Sequence, residues 1–282
     1  MTTQITSDGA MQSNHPSYVV YSQTNQRDQN EDSFQIFALT PALGQKPVII
    51  MAVADGMGGH AYGEDVSQQT LRKLSLSLFE QLTIESSLNR CATEVTRMTS
   101  DDLSQVLLNG VEQANAYVRR MIEANKWGIA GSTVLVTAIL DNIAVAINLG
   151  DSPLFHYQAS SGKLTKVTQD HTVADILRKA GMITEEMARY HEGRSRLEFY
   201  VGCPQLPSNP PVYQVQLASG DLLLLCTDGI SGSLLVEEIE SVLADSSQSL
   251  RAMAENLIQA AQTAGETDNQ TLILWSVREN VS

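Results

Sequence analysis

Residues 132–151 read STVLVTAILDNIAVAINLGD. Two apolar runs flank the pair Asp141-Asn142, a two-residue turn signal, so the chain doubles back here as an antiparallel hairpin. Runs of Val, Ile, Leu and Ala carry their backbone pairs into a core, and an aspartate where such a run ends sits on the rim, poorly solvated. Asp151 ends the second run. Three other aspartates stand at the tips of apolar runs: Asp55 after VIIMAVA, Asp228 after DLLLLCT, and Asp268 just before NQTLILW. In an antiparallel sheet the C-end of one strand lies beside the N-end of its neighbour, so three run-ending acids and one run-starting acid can meet at one end. Carboxylates crowded together repel strongly at neutral pH unless cations or protons lie between them. The pattern therefore points to a metal site made of oxygens.

The rest of the chain surrounds this hairpin with strands in groups and helices in groups. Short β-type runs come first: SYVVYSQ, DSFQIFAL and KPVIIMAVA. Helical spacing follows from about Glu64 to Leu82 and from about Asp101 to Ala124, the second with Leu103, Leu107, Val111, Ala114, Val118 and Ile122 on one face. Beyond Asp151, PLFHYQ and KLTKVT form a hairpin about Ser161-Gly162, and PVYQVQLA and DLLLLCT form another about Ser219-Gly220. Between them, residues 172–200 are charged and helix-prone, an excursion from the sheet. Two more helical segments and the strand TLILWSV complete the chain. This order argues for an α+β layered domain on antiparallel sheets, not alternating βαβ units.

The 282 residues suffice for a substantial core. A formal charge of -14, from 32 acids against 18 bases, excludes a phosphate-tracking nucleic-acid surface. No apolar run approaches the roughly 20 residues needed to cross a bilayer, and residues 1–14 lack the basic start and apolar stretch of a secretory signal. We read residues 1–14 as a loosely ordered tail and 15–282 as one domain. Cys91, Cys203 and Cys226 have no paired spacing, so neither disulfides nor a thiolate zinc site is indicated. A cytoplasmic monomer is expected.

Glycine follows two of the aspartates, at Gly56 and Gly229. Glycine there lets the backbone turn sharply and expose a carbonyl oxygen, so the Gly56 carbonyl is an expected ligand. Oxygen ligands favour Mg²⁺ or Mn²⁺ over zinc. Two such ions bridged by one carboxylate suit phosphoester hydrolysis by a shared, acidified water. Arg27, in QRDQNEDSF, offers a planar fork for the phosphoryl oxygens, and Glu31 and Asp32 lie close enough to hold metal-bound waters. Cys91 and Arg97 match the C-x₅-R spacing of cysteine phosphatases, but the intervening ATEVT has no glycine and carries Glu94 where an anion would bind, so covalent cysteine catalysis is set aside. His15, His60, His156, His171 and His191 are the candidate proton donors, each more readily a structural histidine.

In order, RDQNED, ADGMGG, AGSTVL, LGDS, QDHT, CTDG and TDNQT closely resemble the metal-dependent protein phosphatases, the type 2C serine/threonine family, from about Tyr18 to Val277. The resemblance implies a four-layer α-β-β-α sandwich: two antiparallel sheets flanked by antiparallel helix pairs, with a flap near 172–200. It implies a binuclear Mg²⁺/Mn²⁺ centre with Asp55 bridging both ions, the Gly56 carbonyl on one, and Asp228 and Asp268 on the other. Asp151, with Asp228, matches a third-metal position of bacterial-type members; Glu31 and Asp32 match the water-mediated shell, and Arg27 the phosphate binder. The implied activity is hydrolysis of phosphoserine and phosphothreonine in protein substrates of a cognate kinase, by direct attack of metal-bridging hydroxide. Thr24, Met57 and Pro153 depart from common family residues without removing a ligand.

Overall fold

The computed structural model describes residues 5–10, 17–41, 46–58, 62–85, 98–208 and 210–277. One sheet has the spatial order β1 (Ile5–Ala10), β2 (Ser17–Gln23), β12 (Gln270–Ser276), β11 (Leu222–Cys226), β8 (Leu154–Gln158) and β9 (Lys163–Lys166). The second has the order β10 (Val212–Gln216), β7 (Ile143–Leu149), β6 (Val134–Leu140), β4 (Val48–Met57) and β3 (Asp32–Leu39). The short β5 (Gly131–Ser132) pairs with the tip of β4. Every pairing is antiparallel.

The opening hairpin forms as read. Leu140 pairs with Ile143, and Asp141 takes the left-handed conformation at φ 56°. Its strands are apolar at nearly every position because both faces are buried. In β7, Val145, Ile147 and Leu149 point to an outer cluster with the helices, while Ala144 and Ala146 point to the cluster between the sheets. In β12, Leu272 and Leu274 face outward, while Ile273 and Trp275 face the other sheet.

Helices close both outer faces. Against the second sheet lie α1 (Gly63–Phe79), which runs on as a π-helical segment Glu80–Glu85, and α2 (Ser100–Asn125). The leucines of α1 and α2 in this cluster each contribute roughly 1.5–3 kcal/mol by burial. Gly110 lets the two helices approach closely, since a Cβ there would lie 2.9 Å from Leu78 Cδ2. A capping box starts α2: Thr99 Oγ1 accepts from the Asp102 N–H at 3.2 Å, and Asp102 Oδ2 accepts from the Thr99 N–H at 2.9 Å. Against the first sheet lie α6 (Val236–Leu243) and α7 (Leu250–Thr263). The result is the four-layer α-β-β-α order, with the flap carrying α3 (Val173–Lys179) and α4 (Glu185–Arg189).

Two expectations give way. PVYQVQLA and DLLLLCT do not pair with each other: β10 joins β7 in the second sheet, while β11 lies between β8 and β12 in the first. The turn at Ser219-Gly220 exists, with Gly220 at φ 86°, but it carries the chain from one sheet to the other. Polar alternation in VYQVQ suits an edge strand, and LLLLC, buried throughout, suits a central one. Within the expected loose tail, Ile5–Ala10 forms a strand on β2, where backbone pairing outweighs polar composition.

Candidate functional site

The layered fold brings the strand-tip acids to one end of both sheets. Asp55 lies near the end of β4 and pairs in register with Asp32 at the start of β3. Its N–H donates to Thr133 Oγ1 at 2.9 Å, and the Thr133 N–H returns to the Asp55 carbonyl at 2.8 Å. Thr133 Oγ1 also meets Ser152 Oγ at 2.8 Å, tying the Asp55 backbone to the residue after Asp151. From the other sheet, Asp228 follows β11 and opens the single turn α5 (Asp228–Ser231), while Asp268 precedes β12. Thr227 Oγ1 donates to Asp32 Oδ2 at 2.8 Å and accepts from the Thr271 N–H at 3.1 Å, joining the sheets beneath the cluster.

Gly56 is not a turn glycine. β4 continues through Met57, and the Gly56 N–H donates to the Glu31 carbonyl at 3.1 Å. Glycine is required because a Cβ would fall on the Gly63 carbonyl oxygen. Likewise, a Cβ on Gly229 would fall on the Asn269 carbonyl oxygen. Close backbone approach, not left-handed geometry, explains both Asp-Gly pairs.

The electrostatics follow from burial and crowding. Burial, then repulsion from Asp32, Asp228, Asp151 and Asp268, holds the Asp55 carboxyl well above the usual carboxylate range. Asp32 is pushed up to about 7, chiefly by burial; hydrogen bonds from Thr271 and Thr227 oppose the shift, and Asp228 and Asp268 add to it. Asp228 is pushed up to about 6 by burial and by Asp268 and Glu266, partly offset by a hydrogen bond with Asp55. Burial, with Asp228 and Asp170, raises Asp151 well above the ordinary value.

The residues singled out by sequence separate into groups. Asp55, Asp32, Asp151, Asp228 and Asp268 are brought together. Arg27 is exposed and forms an ion pair with Asp268, Nη2 to Oδ2 at 2.8 Å. The Glu31 carboxylate lies against Gly63 at the start of α1, where a glycine Cβ would meet its Cδ at 2.5 Å. The described histidines serve the framework. His156 pairs with Asp221 at 2.8 Å, and the Nδ1 of His191 accepts from the Gly193 N–H. His171 Nδ1 accepts from the Gly150 N–H, and burial, with Lys179 adding, pulls its pKa down to about 4. His15, His60, Cys91 and Arg97 lie outside the described residues.

Sequence reading missed a clamp. Asn269 Oδ1 accepts from the Glu31 N–H at 2.8 Å, and its Nδ2 donates to the carbonyls of Gln29 at 2.8 Å and Thr24 at 3.1 Å. One side chain thus holds the loop that carries Arg27. Glu266 Oε1 accepts from the Asp268 N–H at 3.0 Å and fixes that acid in turn. The only signal was their place beside Asp268 in GETDNQT.

The donor set fits hard divalent cations. Asp32 Oδ1 and Asp228 Oδ1 are buried with no hydrogen-bond partner among the described residues, a costly arrangement for a carboxylate that binds nothing. No three acid, histidine or cysteine side chains among the described residues are already closed around one point as a metal shell. The fit therefore rests on these oxygens and on the shared crowding around Asp55.

Fold and site together define a class: a four-layer α+β sandwich with an oxygen-only acid centre where its two sheets meet. Residues 21–268 match the protein phosphatase 2C family, and the chain belongs to it. A putative protein phosphatase 2C-type of Streptococcus pyogenes serotype M6 is 28% identical over 253 residues, 88% of this chain and 92% of that one. The serine/threonine phosphatase PstP/Ppp of Mycobacterium tuberculosis has a TM-score of 0.72 at 26% identity, covering 93% of this chain and 98% of its own. A PstP catalytic domain in complex with two manganese ions has a TM-score of 0.70 at 25% identity, with the same coverage.

Proposed function

We propose that this chain is a metal-dependent protein serine/threonine phosphatase, with Mn²⁺ or Mg²⁺ as its ions. The observation that carries the reading is Asp55, ringed by Asp32, Asp151, Asp228 and Asp268 with unpartnered carboxylate oxygens in the ring. Asp55, the Gly56 carbonyl, Asp228 and Asp268 would together hold the two cations. Asp151 with Asp228 can take a third. When bound, the ions supply an acidified water for direct attack on phosphorus and stabilise charge on the phosphoryl oxygens.

The chain's own residues do the remaining work. Glu31 and Asp32 orient water at the edge of the cluster. Arg27 binds the substrate phosphate: Asp268 holds one edge of its guanidinium and the rest faces the cavity that Asp151, Asp228 and Asp268 also line. Asn269 keeps the Arg27 loop in register with the acids. Phosphorylated proteins, modified by a cognate serine/threonine kinase, are the substrates, and the enzyme acts as a cytoplasmic monomer. No helix among the described residues is long and apolar enough to cross a membrane.

The test is phosphate release from a phosphothreonine peptide. Turnover should require Mn²⁺ or Mg²⁺ and stop with chelator. Metal binding without turnover would leave a structural cation site and overturn the reading.

A further inference from the structure

The cavity above the acids has a volume of about 930 Å³, within the usual range of ligand sites. Its lining includes Arg27, Asp228 and Asp268 on one hand and the flap residues Arg189, Tyr190 and Arg194 on the other. A third flap arginine, Arg178, is already engaged, by Asp175 at 2.5 Å and by Glu185 at 3.4 Å. Arg189 and Arg194 are exposed and have no carboxylate partner among the described residues. Tyr190 between them is 83% exposed. On a chain with 32 acids against 18 bases, two guanidiniums at an acidic cavity have carboxylates to choose from, yet stay unpaired.

We propose that Arg189 and Arg194 form a second anion subsite, which selects substrates with a negative group beside the phosphorylated serine or threonine. The group is a carboxylate or a second phosphate. The inference rests on the phosphatase reading above and adds the substrate class. Extended substrate advances about 3.3 Å per residue, so a side chain a few positions from the phosphate reaches another wall of the same cavity. Among the basic residues that line the cavity, Arg27, Lys166 and Arg178 are each paired with an aspartate, so a flanking anion finds its unengaged partners in Arg189 and Arg194. Their planar forks match carboxylate and phosphate alike.

The experiment compares kcat/KM for four phosphothreonine peptides, flanked on both sides by Gln, by Glu, by Lys or by phosphoserine, with Mn²⁺ present and dephosphorylation of the threonine followed. Exposed ion pairs are individually weak, so a preference of roughly five- to tenfold for the Glu peptide over the Gln peptide is expected, falling as salt rises. A larger ratio for the phosphoserine peptide assigns the subsite to phosphate, and an equal ratio to either anion. The preference should vanish in Arg189→Ala/Arg194→Ala. It should invert toward Lys-flanked peptides in Arg189→Glu/Arg194→Glu, which a merely structural role would not produce. Equal rates on Gln and Glu peptides in the unmodified enzyme, or an unchanged ratio in the double alanine variant, would overturn the subsite alone. Failure to hydrolyse any of the peptides would remove the phosphatase reading and the subsite with it.

Discussion

At the scale of single residues, Asp32 and Asp228 carry the sharpest expectations, because burial and mutual repulsion raise them to about 7 and about 6. An aspartate in an unfolded chain titrates near 3.9. Between that value and the folded one, the folded state binds more protons, so this contribution to stability is complete below about pH 4 and is lost as pH rises through about 6 to 7. In chelator-treated protein the melting temperature should therefore fall between about pH 4 and pH 7. Asp32→Asn should flatten that slope, and an identical slope in the variant would contradict the assigned crowding. Asp228→Asn should remain folded yet lose more than about 100-fold in phosphate release, beyond what removing an outer-shell partner of a metal ligand costs. His171 acts in the opposite sense: its lowered pKa favours the neutral ring that accepts the Gly150 N–H, which suits a framework role better than proton donation.

At the scale of elements, the loop from Thr24 to Glu31 depends on Asn269, whose three hydrogen bonds fasten it to the start of β12. Asn269→Ala leaves one donor and two acceptors without that partner, at about 1–3 kcal/mol for each group that water cannot reach. Its expected kinetic signature is a raised KM on phosphopeptide, because Arg27 loses its fixed position; an unchanged KM in a destabilised variant would limit Asn269 to the fold. Gly229→Ala places a methyl group on the Asn269 carbonyl and should cost at least about 1–3 kcal/mol, read as a lowered urea midpoint. These contacts were not legible in sequence. An asparagine in a loop reads as a turn residue, and its partners Thr24 and Gln29 lie more than two hundred positions away. The turn at Ser219-Gly220 is equally ambiguous, since the same signal serves a hairpin and a crossing between sheets. The aspartates were legible because an acid at the tip of an apolar run conflicts with its surroundings, and that conflict marks function.

At the scale of the whole molecule, each sheet contributes acids that neither could concentrate alone: Asp32 and Asp55 from one, Asp228 and Asp268 from the other, with Asp151 on the link from β7 to β8. The layered α+β architecture could be read from grouped strands and helices, while the sheet that each strand joined depended on long-range packing. Cations that bind only this assembled end should stabilise the fold, by about 2.7 kcal/mol per site at a hundredfold excess over Kd. The melting temperature of wild-type protein should rise with Mn²⁺, and that of Asp55→Asn much less; equal shifts would place the ions elsewhere. The most direct test of the central claim is phosphate release from a phosphothreonine peptide by wild type and Asp55→Asn, each with Mn²⁺ and with chelator. The expected result is turnover by the wild type with Mn²⁺ alone. Turnover that persists in chelator, or a full rate in Asp55→Asn, would contradict it.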